Sequence, residues 1–156
     1  MVTQDIKMIK ISKYLDSNSV MFLHETSRDE ALQAMVKGLH QAGKLNDPST
    51  FYQGIIDRER IVSTGIGMGV AIPHAKFPNV EDFFIAIGIM QKGVEWDALD
   101  GTPVRLIFMI GGPDDKQTEY LQILSRLTFA LKDEQRRKKL LTYQSAEAII
   151  ELLKAF

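Results

Sequence analysis

The sequence predicts an α/β fold in which a mixed β-sheet lies between helices. Apolar residues recur at helical intervals near both ends of the chain, whereas short runs of branched and aromatic residues occupy its middle third. No internal repeat, low-complexity tract or long linker divides the sequence. Its 156 residues, 45% of them hydrophobic, suffice for one ordinary core, and we expect residues 1–156 to form a single domain.

The N-terminal third predicts two helices. Ser27 is followed three residues later by a glutamate, the spacing of a capping box, and apolar residues then recur at helical intervals, which predicts a helix over residues 27–42. Asp47 and Pro48 suit the N-cap and first-turn positions of a second helix. We expect this helix to end near Arg60.

The middle third predicts strands. Residues 83–90 form a short apolar run rich in branched and aromatic side chains, which indicates a buried strand. Lys92-Gly93 is a turn signal and predicts that the chain reverses there into a second strand at residues 94–96. Asp100-Gly101 predicts another turn before the apolar run 104–110, which indicates a third strand in the same sheet.

The C-terminal third returns to helical spacing. Four leucines between Leu121 and Leu131 recur at helical intervals after Gly111-Gly112-Pro113, and they predict one helix. Ser145 is the expected N-cap of a last helix. Helices are therefore expected to precede and to follow the block of strands.

Composition excludes several kinds of chemistry. The chain has no cysteine, which removes disulfides, thiolate metal ligands and cysteine nucleophiles. Its 19 basic and 20 acidic residues provide no excess of positive charge for a polyanion, so we expect no nucleic-acid partner. Met1 to Lys13 alternates charged and apolar residues unlike a signal peptide, and no later run reaches membrane-spanning length. We expect a cytoplasmic protein without membrane insertion.

Residues 63–76 carry the most unusual pattern of the chain. Three glycines alternate with other residues and are followed by Pro73 and His74. Glycines at this density let backbone N–H groups approach a ligand, and clustered N–H groups commonly hold phosphate oxygens. The dinucleotide-binding fingerprint fails because Val70 stands where its third glycine should be, and the Walker pattern fails for lack of Gly-Lys-Ser/Thr. The pattern thus indicates phosphate chemistry of another kind.

His74 is the candidate nucleophile of this segment. A neutral imidazole has a free lone pair that can attack phosphorus near neutral pH. Zinc is not expected, because His24, His40 and His74 are the only histidines and are widely separated, and we expect no cofactor. A lone histidine after a strand is often only a hydrogen-bonded loop residue, so the residue by itself leaves both roles open.

The residues around His74 resemble a known motif. Ser-Thr-Gly-Ile-Gly-x-Gly-Val-Ala-Ile-Pro-His, at residues 63–74 and preceded by Arg58-Glu59, is similar to the phosphorylation site of enzyme IIA components of the fructose/mannitol class of the bacterial phosphoenolpyruvate-dependent sugar phosphotransferase system. The similarity continues through residues 100–108 and 120–125 and covers nearly the whole chain from about Ile9. The resemblance implies one domain of this family over residues 1–156.

The resemblance also implies the roles of the site residues. His74 matches the histidine that is phosphorylated on Nε2 by the phosphohistidine of the carrier protein HPr, and Arg58 matches an arginine that supports the phosphoryl site. Family members usually have a second histidine where this chain has Tyr120. A tyrosine can donate a hydrogen bond but carries no positive charge, so we expect weaker electrostatic support for transfer. The residues expected to support the phosphoryl group are Ser63, Thr64, Gly65, Gly67, Gly69 and Tyr120.

The sequence leaves the function within this class open. The protein is either a regulatory phosphocarrier of the nitrogen-related type, whose phosphorylation state changes its binding to a target protein, or a sugar-transport subunit that passes phosphate to a fructose- or mannitol-type IIB protein. The absence of a second histidine and of a fused IIB domain favours regulation, because a signal tolerates slow onward transfer. A third function, a protein-binding module without phosphoryl chemistry, is disfavoured by the Arg58 and His74 motif.

Overall fold

A computed structural model describes residues 9–156 of the chain. These residues form one domain with a mixed six-stranded sheet between helices, which confirms the predicted fold class. The prediction that the domain includes residues 1–8, and most of the Met1–Lys13 segment considered above, lies outside the described residues. Within them, no helix is long and apolar enough to cross a membrane.

Two 3-10 helices, six strands and five α-helices follow one another along the described part of the chain. The 3-10 helices are Ile11–Tyr14 and Ser17–Ser19, and the other elements are β1 (Val20–Leu23), α1 (Arg28–Gln41), α2 (Pro48–Ile61), β2 (Gly65–Gly67), β3 (Val70–Ala71), β4 (His74–Phe77), β5 (Phe84–Val94), β6 (Val104–Pro113), α3 (Gln117–Lys132), α4 (Glu134–Thr142) and α5 (Ala146–Leu153).

The sheet is built around the antiparallel pair β5 and β6. Its strand order is β1-β5-β6-β3-β2, and β4 also pairs with β6. Both β3 and β4 are parallel to β6, with Val70 opposite Leu106 and His74 opposite Ile110. This constant offset places β3 and β4 in one line along β6, interrupted at Ile72-Pro73. Proline has no N–H for the ladder, so the interruption is expected at that residue.

Helices cover both faces of the sheet because its central strands are apolar on both sides. Along β6, Leu106, Phe108 and Ile110 belong to the core under α3, α4 and α5. The alternate residues Ile107 and Met109 belong to the core under α1 and α2. The apolar run predicted as a buried strand therefore serves two cores at once.

The helices with local capping signals are confirmed. The Ser27 hydroxyl accepts a hydrogen bond from the Glu30 N–H, Asp47 accepts one from the N–H three residues later, and Ser145 caps α5 in the same way. The predicted helix after residue 113 is also present as α3, although Leu121 lies on its solvent side and is 53% exposed.

Two details of the predicted strands are wrong. Lys92-Gly93 does not turn the chain, because β5 continues through these residues to Val94, and residues 94–96 form no separate strand. Gly93 instead permits close strand contact, since a Cβ there would lie 2.6 Å from Cβ of Pro103. The turn at Asp100-Gly101 is confirmed by a hydrogen bond from the Gly101 N–H to the carbonyl of Ala98.

Candidate functional site

The candidate site lies where three elements meet. The last turns of α2 supply Arg58, the first residue of β4 is His74, and the first turns of α3 supply Gln117 and Tyr120. The helix α2 packs against β4, and α3 covers the opposite face of the sheet. The structure thus brings together the three residues that the sequence most strongly implicated, His74, Arg58 and Tyr120.

The contacts of His74 define which of its ring nitrogens is unprotonated. Its Nδ1 lies 3.1 Å from the carbonyl oxygen of Ile72, and a carbonyl can only accept, so Nδ1 carries the ring proton and Nε2 keeps the lone pair. Burial is the main cause that lowers the pKa of His74, and the charges of Arg58 and Lys76 lower it further against the opposing effect of the Ile72 hydrogen bond. The imidazole is therefore neutral and nucleophilic near pH 7.

Arg58 contacts the free nitrogen directly. Its Nε donates a hydrogen bond to His74 Nε2 at 3.2 Å, and its Nη1 donates another to the carbonyl of Val62 at 2.8 Å. No ion pair among residues 9–156 includes Arg58. The guanidinium consequently covers the lone pair in the resting protein and has no carboxylate that would compete with an incoming anion.

A buried carboxylate fixes the segment between α2 and β2. Glu59 is 3% exposed, and its two oxygens accept hydrogen bonds from the Thr64 N–H at 2.7 Å and the Thr64 hydroxyl at 2.6 Å. The carbonyl of Thr64 in turn accepts from the N–H of Ile72, two residues before His74. Thr64 therefore lies close to the site, but its hydroxyl is engaged by Glu59, and its predicted support of a phosphoryl group stays a prediction.

Ser63 also has partners within the protein. Its hydroxyl donates to the carbonyl of Trp96 at 2.8 Å and accepts from the N–H of Gly65 at 3.0 Å. These contacts attach the start of β2 to the loop between β5 and β6. The predicted phosphate-supporting role of Ser63 and Gly65 is likewise untested.

The other two glycines shape a tight hairpin between β2 and β3. Met68 and Gly69 form its two-residue turn with φ values of 61° and 75°, and the Met68 N–H donates to Asp100 Oδ2 at 3.0 Å. Gly67 has φ 100°, and a Cβ there would lie 3.0 Å from the same oxygen. Val70 and His74 pair with residues of β6 that are four positions apart, so about 13 Å separates them along the sheet. Phosphate support by Gly67 and Gly69 stays a prediction beside this structural role.

Tyr120 packs against the imidazole as a neutral aromatic ring. Its ring centroid lies 5.4 Å from that of His74 and 6.2 Å from that of Phe83, and the residue is 5% exposed. Burial raises the pKa of Tyr120 to about 12, with a smaller lowering effect from Arg58. The hydroxyl is therefore protonated at physiological pH and adds no charge to the site.

Sequence reasoning gave no role to Lys76, which completes the site. Its Nζ lies 4.0 Å from the centroid of the Tyr120 ring and donates a hydrogen bond to Gln117 Oε1 at 2.8 Å. Lys76 follows His74 by two residues, so a predicted strand over residues 74–77 would have put both side chains on one face. Lys76 was not recognised as a site residue because residues 74–77 were not predicted to form a strand.

The fold and the site together define a class of protein. An α/β domain presents a neutral imidazole with one free nitrogen, flanked by two cations, as required of a histidine that takes up an anionic group. No group of three His, Cys, Asp or Glu residues that could hold a metal occurs within residues 9–156.

Comparison with known proteins shows the family. Residues 13–156 match the model of the phosphoenolpyruvate-dependent sugar phosphotransferase system, EIIA 2, and the chain belongs to this family. It is 38% identical to the fructose-specific EIIABC component of Bacillus subtilis over 93% of its own length but only 23% of that relative. It is 30% identical to a nitrogen regulatory protein of Bradyrhizobium diazoefficiens, over 84% of this chain and 85% of the other.

Solved structures agree with this assignment. The nitrogen regulatory protein IIA-Ntr from Neisseria meningitidis superposes with a TM-score of 0.84 at 29% identity, over 92% of this chain and 98% of that one. Enzyme IIA-mannitol of Escherichia coli, solved in complex with phosphorylated enzyme IIB-mannitol, has a TM-score of 0.76 at 21% identity, over 91% and 98%. The latter likeness concerns the fold alone. Regulatory and sugar-specific proteins thus both stand among the relatives.

Proposed function

We propose that this protein is a phosphocarrier that accepts a phosphoryl group on Nε2 of His74 from the phosphohistidine of HPr. The observation that carries the proposal is the pair of hydrogen bonds on the imidazole. The Ile72 carbonyl fixes the proton on Nδ1, and the Arg58 guanidinium marks Nε2 as the nitrogen with the lone pair. Membership of the EIIA 2 family supports the same chemistry.

The transfer needs no proton to leave the nucleophile. The lone pair of His74 Nε2 forms the new N–P bond while the N–P bond of the donor breaks, and its electron pair returns to the donor imidazole. Nδ1 keeps its proton and its hydrogen bond to Ile72 throughout. The ring is therefore held in one orientation before and after transfer, which removes much of the entropic cost of alignment.

Arg58 must exchange one partner for another during the reaction. In the resting protein its Nε covers the lone pair, so the guanidinium has to turn from Nε2 towards the oxygens of the arriving phosphoryl group. A planar fork of N–H donors stabilises the negative charge that those oxygens carry in a metaphosphate-like transition state. The hydrogen bond to the Val62 carbonyl keeps the guanidinium beside the site.

Among functions of this class we propose a regulatory role in the cytoplasm, in which phosphorylation of His74 alters binding to a target protein. Support comes from the nitrogen regulatory relative, which matches over most of both chains. The second candidate is a sugar-transport subunit that passes the phosphoryl group to a IIB protein. It is favoured by the fructose-specific relative.

Labelling by phospho-HPr tests the proposal. We expect the parent protein to take up one phosphoryl group that is lost in acid and kept in base, and we expect His74→Gln to take up none. His40→Gln is the matched control, because His40 is an exposed histidine of α1, and it should label like the parent. Labelling of His74→Gln, or no labelling of the folded parent, would contradict the proposal and favour a protein-binding module.

Onward transfer separates the two roles. Phosphorylated protein is mixed with a fructose-type or a mannitol-type IIB protein, and the loss of label from His74 is followed over time. A regulatory protein should keep its label far longer than the interval that sugar flux requires. Rapid and complete transfer to either IIB would instead establish the transport role.

A further inference from the structure

We propose that Lys76 is a second phosphoryl-binding cation of the site, held ready by the Tyr120 ring and the Gln117 amide. The inference rests on the proposed phosphorylation of His74 and adds a residue to it. It assigns the positive charge that Tyr120 lacks to a neighbouring side chain. It also gives Tyr120 a function, because the face of its ring holds the ammonium group of Lys76 in the resting protein.

The strand β4 directs Lys76 to the same side as His74. Ala75, between them, is 7% exposed and belongs to the core under α1 and α2. Alternate residues of a strand point to opposite faces, so His74 and Lys76 both point away from that core towards α3. Their Cα atoms are about 7 Å apart at this spacing, and a four-carbon lysine side chain can span that distance.

The contacts of Lys76 hold its ammonium group without neutralising it. Nζ lies over the Tyr120 ring at 4.0 Å and donates to the neutral amide oxygen of Gln117. None of the ion pairs found within residues 9–156 involves Lys76. Both contacts can be exchanged for a phosphoryl oxygen, because neither the ring nor the amide carries the negative charge that a phosphoryl oxygen offers.

The charges around the imidazole are therefore unbalanced. Arg58 and Lys76 both act on His74 as positive charges, and both lower its pKa. The carboxylate of Glu59 has the opposite and smaller effect on that pKa, and it accepts two hydrogen bonds from Thr64. Two unpaired cations beside a neutral ring oppose its protonation and favour a dianion bound to it. The arrangement is complementary to phosphohistidine rather than to free histidine.

The neutrality of Tyr120 fits this role. A cation at position 120 would repel an ammonium group 4 Å away, whereas the face of an aromatic ring attracts it. The hydroxyl is not needed for that contact. A Tyr120→Phe variant should therefore keep Lys76 in place, while Tyr120→Ala should release it.

The test compares charge, shape and platform at saturating phospho-HPr. We expect Lys76→Met to lower the maximal single-turnover rate of His74 phosphorylation about 10-fold, the equivalent of one charge-assisted hydrogen bond. Lys76→Arg should restore most of the rate, and Tyr120→Ala, which removes the aromatic ring under Lys76, should lower it. Lys138→Met is the control for lost net charge, because this exposed lysine of α4 lies outside the site.

A second measurement reports the contact itself. The phosphorus resonance of phospho-His74, followed by NMR against pH, gives the second pKa of the phosphoryl group. Lys76→Met should raise that pKa and Lys138→Met should not, because only a cation at the phosphoryl oxygens favours their ionised form. A change in packing alone would leave this value unchanged.

The outcomes distinguish the two proposals. If Lys76→Met matches the parent in rate and in phosphoryl pKa while His74→Gln remains unlabelled, the role of Lys76 is wrong and the phosphocarrier proposal stands. If the parent itself takes up no phosphoryl group, both fail together. A slow Lys76→Met that Lys76→Arg does not rescue would also overturn the inference, since charge would then not be the cause.

Discussion

One backbone carbonyl decides the chemistry of the imidazole. Without the Ile72 oxygen at Nδ1, either ring nitrogen of His74 could carry the proton, and the nitrogen that attacks phosphorus would not be defined. This carbonyl belongs to Ile72, one of the two residues between β3 and β4.

Replacing Arg58 by alanine should slow His74 phosphorylation about 100-fold, the usual effect of removing one donor to developing negative charge. The free energy of unfolding should change by less than about 1 kcal/mol, because Arg58 is only half-buried and forms no ion pair within the described residues. Single-turnover rates and thermal unfolding of the purified variants measure the two effects. Arg60→Ala, an exposed arginine in the same helix, is the control. Equal rates for Arg58→Ala and the control would show that Arg58 has no part in transfer.

The lowered pKa of His74 predicts a pH effect on stability. The unfolded chain binds a proton at this residue near pH 6.5, whereas the folded protein binds it only at lower pH. The free energy of unfolding of the parent should therefore fall as pH drops from about 6.5 towards the folded pKa, and His74→Gln should lack this part of the loss. Urea unfolding of both proteins between pH 8 and pH 5 measures the difference. A stability difference that is constant across this range would contradict the predicted shift.

At the scale of elements, the hairpin of β2 and β3 shows how one pattern serves two hypotheses. Its glycines suggested a phosphate cradle from sequence, because dense glycine is common to such cradles and to tight turns. The structure shows a two-residue turn with two positive φ values, held by the carboxylate of Asp100. The periodicity of the sequence could not separate these functions, since Asp100 lies far along the chain from Gly67.

Gly67→Ala distinguishes the hairpin role from the phosphate role. The variant should lose about 1–2 kcal/mol of stability, from the positive φ and from the approach of its Cβ to Asp100. Its maximal phosphorylation rate should equal that of the parent, because Gly67 pairs with Val70, which lies about 13 Å from His74. Gly101 also has a positive φ, of 71°, but no neighbour lies within 4 Å of an added Cβ, so Gly101→Ala should lose less stability. A stable Gly67→Ala with slowed phosphorylation would restore the phosphate role of the glycines.

For the whole molecule, sequence reasoning succeeded wherever the determinant was local. The helices α1, α2 and α5 were predicted because each N-cap accepts a hydrogen bond from the residue three positions later. The strands β1 to β4 are two to four residues long, and their existence depends on neighbours distant in sequence. The prediction of a turn at Lys92-Gly93 was wrong for the same reason, since the contact of Gly93 with Pro103 cannot be inferred from the dipeptide.

The residues of the site were likewise predictable only where their role depended on neighbours in sequence. His74 and Arg58 were found because a recognisable motif contains both. Lys76 is adjacent in sequence to that motif, but its role depends on the strand geometry of β4 and on a ring contributed by α3. The engagement of Glu59 by Thr64 likewise requires the end of α2 to meet the start of β2. The roles of Lys76 and Glu59 became apparent only from their positions in the three-dimensional structure.

The order of the strands has a consequence for how fast the chain folds. The strand β1 pairs in parallel with β5, Val20 opposite Ile87, and β3 pairs in parallel with β6. Such pairs close long loops before they stabilise anything, so we expect folding in milliseconds to seconds rather than microseconds. The antiparallel β5 and β6 are joined by residues 95–103 alone and should pair first, because this loop is far shorter than those that the parallel pairs must close. In stopped-flow urea experiments, Ile107→Val in β6 should mainly slow folding, and Val20→Ala in β1 should mainly speed unfolding. The opposite partition would mean that β1 docks before the centre of the sheet has formed.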